Sequence, residues 1–179
     1  TKDDAMIVIR QDDLIESIAD ALQFISYYHP VDFIQAVNLA YEHEESPAAK
    51  DALAQILINS RMSAIGHRPL CQDTGIVTVF VKIGMDVSWK GSTMSVSDMI
   101  NEGVRRAYTH PDNVLRASIL EDPDGARKNS KDNTPAVIHY EIVEGDTVDV
   151  QVAAKGGGSE NKSKTVSYTH LTLPTSYAV

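Results

Sequence analysis

Through the first third of the chain, apolar positions recur every three or four residues, the period of a helix. Leu14, Ile15, Ile18, Leu22 and Ile25 share one face, and Asp13 with Glu16 has capping-box spacing, Asp standing in for Ser or Thr. Pro30 interrupts the pattern after Tyr27-Tyr28-His29. A second helix is expected from about 31 to 44, with Phe33, Ile34, Val37 and Ala40 or Tyr41 turned inward. Ser46-Pro47, a cap followed by proline at the first helical position, opens a third. It carries Leu53, Ile56, Leu57 and Met62 and stops near Gly66. Such stripes predict a helical layer packed on a core.

The period then changes. Residues 76 to 83 form a near-continuous β-branched and aromatic run, which predicts a strand buried on both faces. After a turn at Trp89-Lys90-Gly91-Ser92, Ser95 caps a fourth helix carrying Val96, Met99, Ile100, Val104 and Tyr108. Arg105 and Arg106 near its end suit the helix dipole, a structural role sufficient for them. Residues 136–143 and 147–154 are strand patterns around Glu144-Gly145-Asp146, a hairpin signal. The expected fold class is α/β (α+β mixed): a helical N-terminal layer packed on a small mixed sheet with a hairpin. The pattern specifies no strand order.

Candidate chemistry sits at the junction of the two periods. His67-Arg68-Pro69-Leu70-Cys71-Gln72-Asp73-Thr74-Gly75 joins the third helix to the strand and holds the only cysteine of the chain. A lone cysteine is ordinarily a small buried hydrophobe. Gln72 and Asp73, however, are poor core fillers, because a buried Gln or Asp must be paired. A thiol near cationic Arg68 would ionise more readily and act as a nucleophile or metal ligand. Residues 109–134 form a loop of the length that often carries function. Arg116 within it could hold a carboxylate through two parallel hydrogen bonds, or be a solvated surface residue. Gly156-Gly157-Gly158 could present N–H groups to an anion, or serve as a flexible linker. It has neither the Walker ending nor the Rossmann spacing.

Charge and composition narrow the partners. A formal net charge of −9 over 179 residues argues against nucleic acid or anionic membrane. One cysteine excludes an internal disulfide framework and suits a reducing compartment. No run approaches the roughly 18 apolar residues of a membrane span, and no secretion signal opens the chain. The expected location is the cytoplasm.

Three stretches occur in order: Arg68-Pro69-Leu70-Cys71-Gln72-Asp73-Thr74-Gly75, Asp132-Asn133-Thr134-Pro135-Ala136-Val137-Ile138-His139 and Lys155-Gly156-Gly157-Gly158-Ser159-Glu160-Asn161. Together they resemble the N-terminal (alpha) region of class I fumarate hydratase, the oxygen-sensitive iron–sulfur type. The resemblance covers about residues 6–164 and extends to the L(+)-tartrate dehydratase alpha subunit. It implies a hydro-lyase of the tricarboxylic acid cycle that interconverts fumarate and (S)-malate with a [4Fe-4S] cluster held by three cysteines. By the same resemblance Cys71 is the first cluster ligand. Gln72 and Asp73 contact substrate, with Asp73 in proton transfer. Arg116 pairs with a substrate carboxylate, and Gly157 and Gly158 close around the substrate. The family's other two cluster cysteines lie beyond residue 164, and this chain has no second cysteine. The family's C-terminal domain is missing as well.

Three segments are therefore expected. Residues 1–5 form a non-native or disordered start before an initiating Met6, and residues 6–164 form the truncated domain. Residues 165–179, which hold no Asp, Glu, Lys or Arg, read as a non-native tail. The implied partners are a dicarboxylate substrate, the missing C-terminal domain and, at full length, a second copy in a homodimer. Nucleic acid and membrane are not expected. The alternatives are a tartrate dehydratase alpha subunit, or a catalytically silent binding module with a structural Cys71. The chain alone is expected to be inactive.

Overall fold

The computed structural model describes residues 7–157. Residues 1–5 and 165–179, which the sequence sets apart from the domain, lie outside the described residues, as does Gly158. The described part runs β1 (Ile7–Val8), α1 (Gln11–Tyr27), α2 (Val31–His43), α3 (Pro47–Gly66), β2 (Ile76–Gly84), β3 (Val87–Ser88), α4 (Val96–Tyr108), β4 (Val137–Val143) and β5 (Val148–Lys155). The α/β expectation holds. Among the described residues, no helix is long and apolar enough to cross a membrane.

The core lies between two helices and one face of a sheet. Leu14, Ile15, Ile18 and Leu22 of α1 meet Met99, Ile100, Val104, Ala107 and Tyr108 of α4, and Val77, Val79 and Val81 of β2 close the cluster. The helices approach closely because Gly103 faces α1. A Cβ there would stand 2.8 Å from the Ile15 carbonyl oxygen and 2.8 Å from the Ile18 Cβ. Ser95 caps α4 as expected, its hydroxyl accepting from the Asp98 amide at 3.1 Å. At the start of α1 the capping box does not form. Asp13 lies inside the first turn and pairs with Arg10 at 2.6 Å, Arg10 being the residue at the cap position.

The main sheet has the order β4-β2-β5, with β2 parallel to β4 and antiparallel to β5. This corrects the hairpin reading. β4 and β5 are joined by a short connection, yet β2 lies between them. The connection passes over the end of β2, where Gly84 donates to the Thr147 carbonyl at 2.8 Å and Met85 to the Val143 carbonyl at 2.9 Å. Gly84 permits the crossing: a Cβ would lie 2.3 Å from the Gly145 carbonyl oxygen. A separate two-stranded piece pairs β1 with β3 in parallel.

Two expectations about burial are also corrected. β2 is buried on one face only. Val77, Val79 and Val81 point to the helices, while Ile76 is 39% and Phe80 46% exposed on the other side. No residue of α2 is buried, so Phe33, Ile34 and Val37 do not reach the core. α2 and α3 pack mainly on each other, apart from the α1–α4 core. Their junction is partly polar, His29 meeting the Ser60 hydroxyl at 3.1 Å.

The α1–α4 contact can be tested in two directions. Ile18→Ala is expected to destabilise the domain by about 2–5 kcal/mol through the cavity it leaves. Gly103→Ala, which forces the helices apart, is expected to cost about 1–3 kcal/mol. Urea unfolding followed by circular dichroism measures both. A neutral Gly103→Ala would show that the helices can separate freely.

Candidate active site

Helix α3 ends with His67 in the left-handed conformation at φ 45°, its ring stacked 4.6 Å from Tyr27. From there residues 68–75 turn back across the end of α1. Leu70 donates its amide to the Ser26 carbonyl at 2.8 Å, and its own carbonyl accepts from the Asn59 side chain at 3.0 Å. Pro69 and Leu70 thereby seat the turn, and Cys71 follows at the surface.

Cys71 is exposed, which overturns the reading of a buried small hydrophobe. Its Sγ accepts from the Asp73 amide at 3.3 Å. One Asp73 carboxylate oxygen accepts from the Gly157 amide at 3.2 Å. The structure thus brings Cys71, Asp73 and Gly157 together from two distant parts of the chain. Cys71 and Asp73 line a cleft of about 250 Å³ with Thr74 and Tyr108, walled by apolar residues of α1 including Leu22 and Ile25. Gln72 is exposed on the same turn and does not line this cleft. Arg68 is turned away, its guanidinium donating to the Asp112 carbonyl. Arg116 is exposed, and its backbone carbonyl accepts from the Thr74 hydroxyl.

The strand end at Lys155 and Gly156 lies directly on the turn. Gly75 has φ 63°, and a Cβ there would stand 1.9 Å from the Lys155 carbonyl oxygen and 2.6 Å from the Gly156 nitrogen. Only glycine fits, for conformation and for space.

Beneath the turn lie polar residues that sequence periodicity assigns to the core or to loops. Tyr108 ends the apolar stripe of α4, and its hydroxyl donates to the Thr74 carbonyl at 2.6 Å. Burial pushes this phenol up to about 12, with hydrogen bonding to Thr74 and Asn133 acting the other way. Gln23, beside Leu22 on α1, donates to the Ala107 carbonyl at 2.6 Å and the Asn113 carbonyl at 3.0 Å. It accepts from the Asn113 side chain at 2.9 Å. The signal that could have found Gln23 is a polar residue next to an apolar stripe, since a buried amide must be paired. On the outside of α4, Arg105 meets Asp132 at 2.9 Å and also pairs with Glu102. Desolvation pushes the Asp132 carboxyl up, but hydrogen bonds from Thr134 and Arg105 outweigh it and hold it below its usual range.

An exposed cysteine and a carboxylate tethered to the glycine strand end thus stand at the edge of a small cleft. The sequence model of the fumarate hydratase (Fumerase) family matches residues 15–176. The chain belongs to that family. It is 31% identical over 151 residues to the putative L(+)-tartrate dehydratase subunit alpha of Methanocaldococcus jannaschii, covering 82% of this chain and 51% of that protein. It is 35% identical over 129 residues to the anaerobic class I fumarate hydratase of Escherichia coli K12, covering 72% of this chain and 23% of that one. The putative class I fumarate hydratase of Geobacillus stearothermophilus is 30% identical over 154 residues, 84% of this chain and 28% of its own length. The chain thus spans between about a quarter and a half of the relatives it matches.

Tyr108 gives a pH test of the scaffold. Its folded-state value lies above its ordinary one, so its contribution to stability is complete below pH 10 and is lost as pH rises toward 12. Tyr108→Phe is expected to cost about 1 kcal/mol at neutral pH through the lost hydrogen bond, and to flatten the fall between pH 10 and 12. Denaturant titrations of both proteins across that range measure the difference. Parallel curves would show that the phenol titrates as it does in the unfolded chain.

Proposed function

We infer that this chain is the N-terminal part of a hydro-lyase that interconverts fumarate and (S)-malate by reversible hydration, with residues 6–164 as its domain. One observation carries the reading: the Asp73 carboxylate, tethered by the Gly157 amide at 3.2 Å, lines the same cleft as the Cys71 thiol, whose sulfur accepts from the Asp73 backbone amide. The family membership supports it. Hydration places a hydroxyl on one olefinic carbon and a proton on its neighbour. Asp73 is the group for that proton, since a carboxylate held in one orientation by a backbone amide can give and take a proton at a fixed point. Arg116 takes a substrate carboxylate through paired hydrogen bonds. Gln72, on the turn, contacts the substrate from the solvent side, and Gly157 and Gly158 close over it.

The cofactor that goes with this reading is a [4Fe-4S] cluster. Cys71 suits one ligand position, being an exposed thiol at the cleft mouth. The chain has one cysteine, and among the described residues no three His, Cys, Asp or Glu side chains gather to hold a metal ion. The residues present therefore do not hold a cluster by themselves. In this proposal the remaining ligands belong to a longer protein, which works as a homodimer in the cytoplasm.

A second reading, the alpha subunit of a tartrate dehydratase, is favoured by the longer match to the Methanocaldococcus jannaschii protein, 82% of this chain against 72% for the Escherichia coli fumarate hydratase. The fumarate reading has the higher identity, 35% against 31%. Comparing kcat/KM for the two substrates decides between them.

The experiment is anaerobic reconstitution of the full-length protein with iron and sulfide, followed by a fumarate-to-malate assay. Cys71→Ser is expected to lose bound iron, because a hydroxyl is a far poorer ligand than a thiolate. Asp73→Asn is expected to retain iron and lower kcat by about a hundredfold or more. The 179-residue chain alone is expected to show no turnover. A Cys71→Ser protein with full iron and full activity would sink the assignment.

A further inference from the structure

Asp132-Asn133-Thr134 opens one of the three stretches that mark the family resemblance, yet none of these residues lines the cleft. Its geometry is that of a clamp. Asn133 is completely buried and has φ 63°. Its side-chain nitrogen donates to the Gly75 carbonyl at 2.9 Å. Its side-chain oxygen accepts from the amides of Ser118 at 2.7 Å and Ile119 at 3.3 Å. One side chain therefore joins the end of the Cys71 turn to the segment just after Arg116. The Thr74 hydroxyl makes a second link, donating to the carbonyl of Arg116 itself. The clamp is anchored from behind. Asp132 is held by Arg105 of α4 at 2.9 Å, and the Ala136 amide donates to Asn101 of the same helix at 2.9 Å.

An arginine has a long, flexible side chain, so where its guanidinium can work depends on where its backbone is fixed. We propose that Asn133 and Thr74 are positioning residues that lock the backbone of Arg116 to the Cys71–Asp73 turn, and so set the distance between the carboxylate-binding arginine and the proton-handling carboxylate. This rests on the hydro-lyase reading above and deepens it. Misplacement by about 1 Å can cost a hundredfold in rate even when the altered residue never touches substrate.

The test uses the full-length protein with Thr74→Val, which keeps shape and removes the donor. A second variant, Asn133→Gly, keeps the positive φ and removes the clamp. Both are made with and without Arg116→Ala. KM for fumarate, kcat, iron content, melting temperature and the calorimetric Kd for succinate, an unreactive dicarboxylate, are measured on each. In the Arg116 background, KM and succinate Kd are expected to rise together by about tenfold, the scale of one charged hydrogen bond, with iron unchanged. In the Arg116→Ala background the same substitutions are expected to change neither, because the group they position is gone. Thr74→Val carries the test even if Asn133→Gly fails to fold. Lowered melting temperature with unchanged KM and Kd, or equal effects in both backgrounds, would overturn the proposal. A protein that binds succinate through Arg116 but does not hydrate fumarate would remove the hydro-lyase reading, and the succinate cycle would then decide the clamp by itself.

Discussion

Two carbonyls at the entrance to β2, those of Thr74 and Gly75, constrain everything around them. Both residues are buried, and Gly75 is overlain by the end of β5 so closely that no side chain fits between. A buried carbonyl left without a donor costs about 1–3 kcal/mol. Tyr108 supplies the donor for one and Asn133 for the other. These two residues come from the last turn of α4 and from the loop before β4, so satisfying the carbonyls draws three separate parts of the chain to one point. With its end nailed in this way, the rest of the turn can be exposed and polar, and Cys71 and Asp73 can face a cleft without unravelling.

The surface side of this arrangement contributes less energy but fixes its orientation. Arg105 bridges Glu102 on its own helix and Asp132 on the clamp. Exposed pairs of this kind are worth about 1 kcal/mol or less each. Their importance is directional: Asp132 also accepts from the Thr134 amide at 3.0 Å and hydroxyl at 2.8 Å, which orients the backbone on either side of Asn133. The polar residues of the clamp thus form a hierarchy, with the buried amide carrying the energy and the exposed ion pairs holding its approach.

How much of this was legible in the sequence depended on whether each signal was local. The faces of α1 and α4 were readable because one apolar stripe met one core, and Ser95 announced its helix by the ordinary capping chemistry. α2 and α3 carry the same period but pack mainly on each other, so their stripes indicate helices correctly and burial wrongly. Glu144-Gly145-Asp146 is a good local turn signal, yet the β2 strand that separates the two flanking strands is encoded about sixty residues earlier. Cys71, Asp73 and Gly157 were singled out by residue type and by family resemblance, and the structure brings them together. Tyr108 and Gln23 are not marked by either, and Asn133 is marked only as part of a resemblance motif, with no role of its own. Each looks locally like a core or loop residue, and its meaning lies in a backbone group far away in sequence: Thr74 for Tyr108, Ala107 and Asn113 for Gln23, and Gly75 for Asn133.

The same commitments bear on the substrate choice that the proposed function raises. Fumarate and tartrate are both dicarboxylates, and tartrate carries an additional pair of hydroxyls. A site distinguishes such molecules best with polar groups that the right substrate pairs and the wrong one leaves unpaired. In this cleft the single O–H of Tyr108 is directed to the Thr74 carbonyl and that of Thr74 to the Arg116 carbonyl. Neither is an uncommitted donor for a substrate oxygen, and the α1 wall is apolar. Under the proposed function, reading a hydroxyl would therefore fall to Gln72 and Asp73 on the turn, and pairing the carboxylates common to both substrates to Arg116.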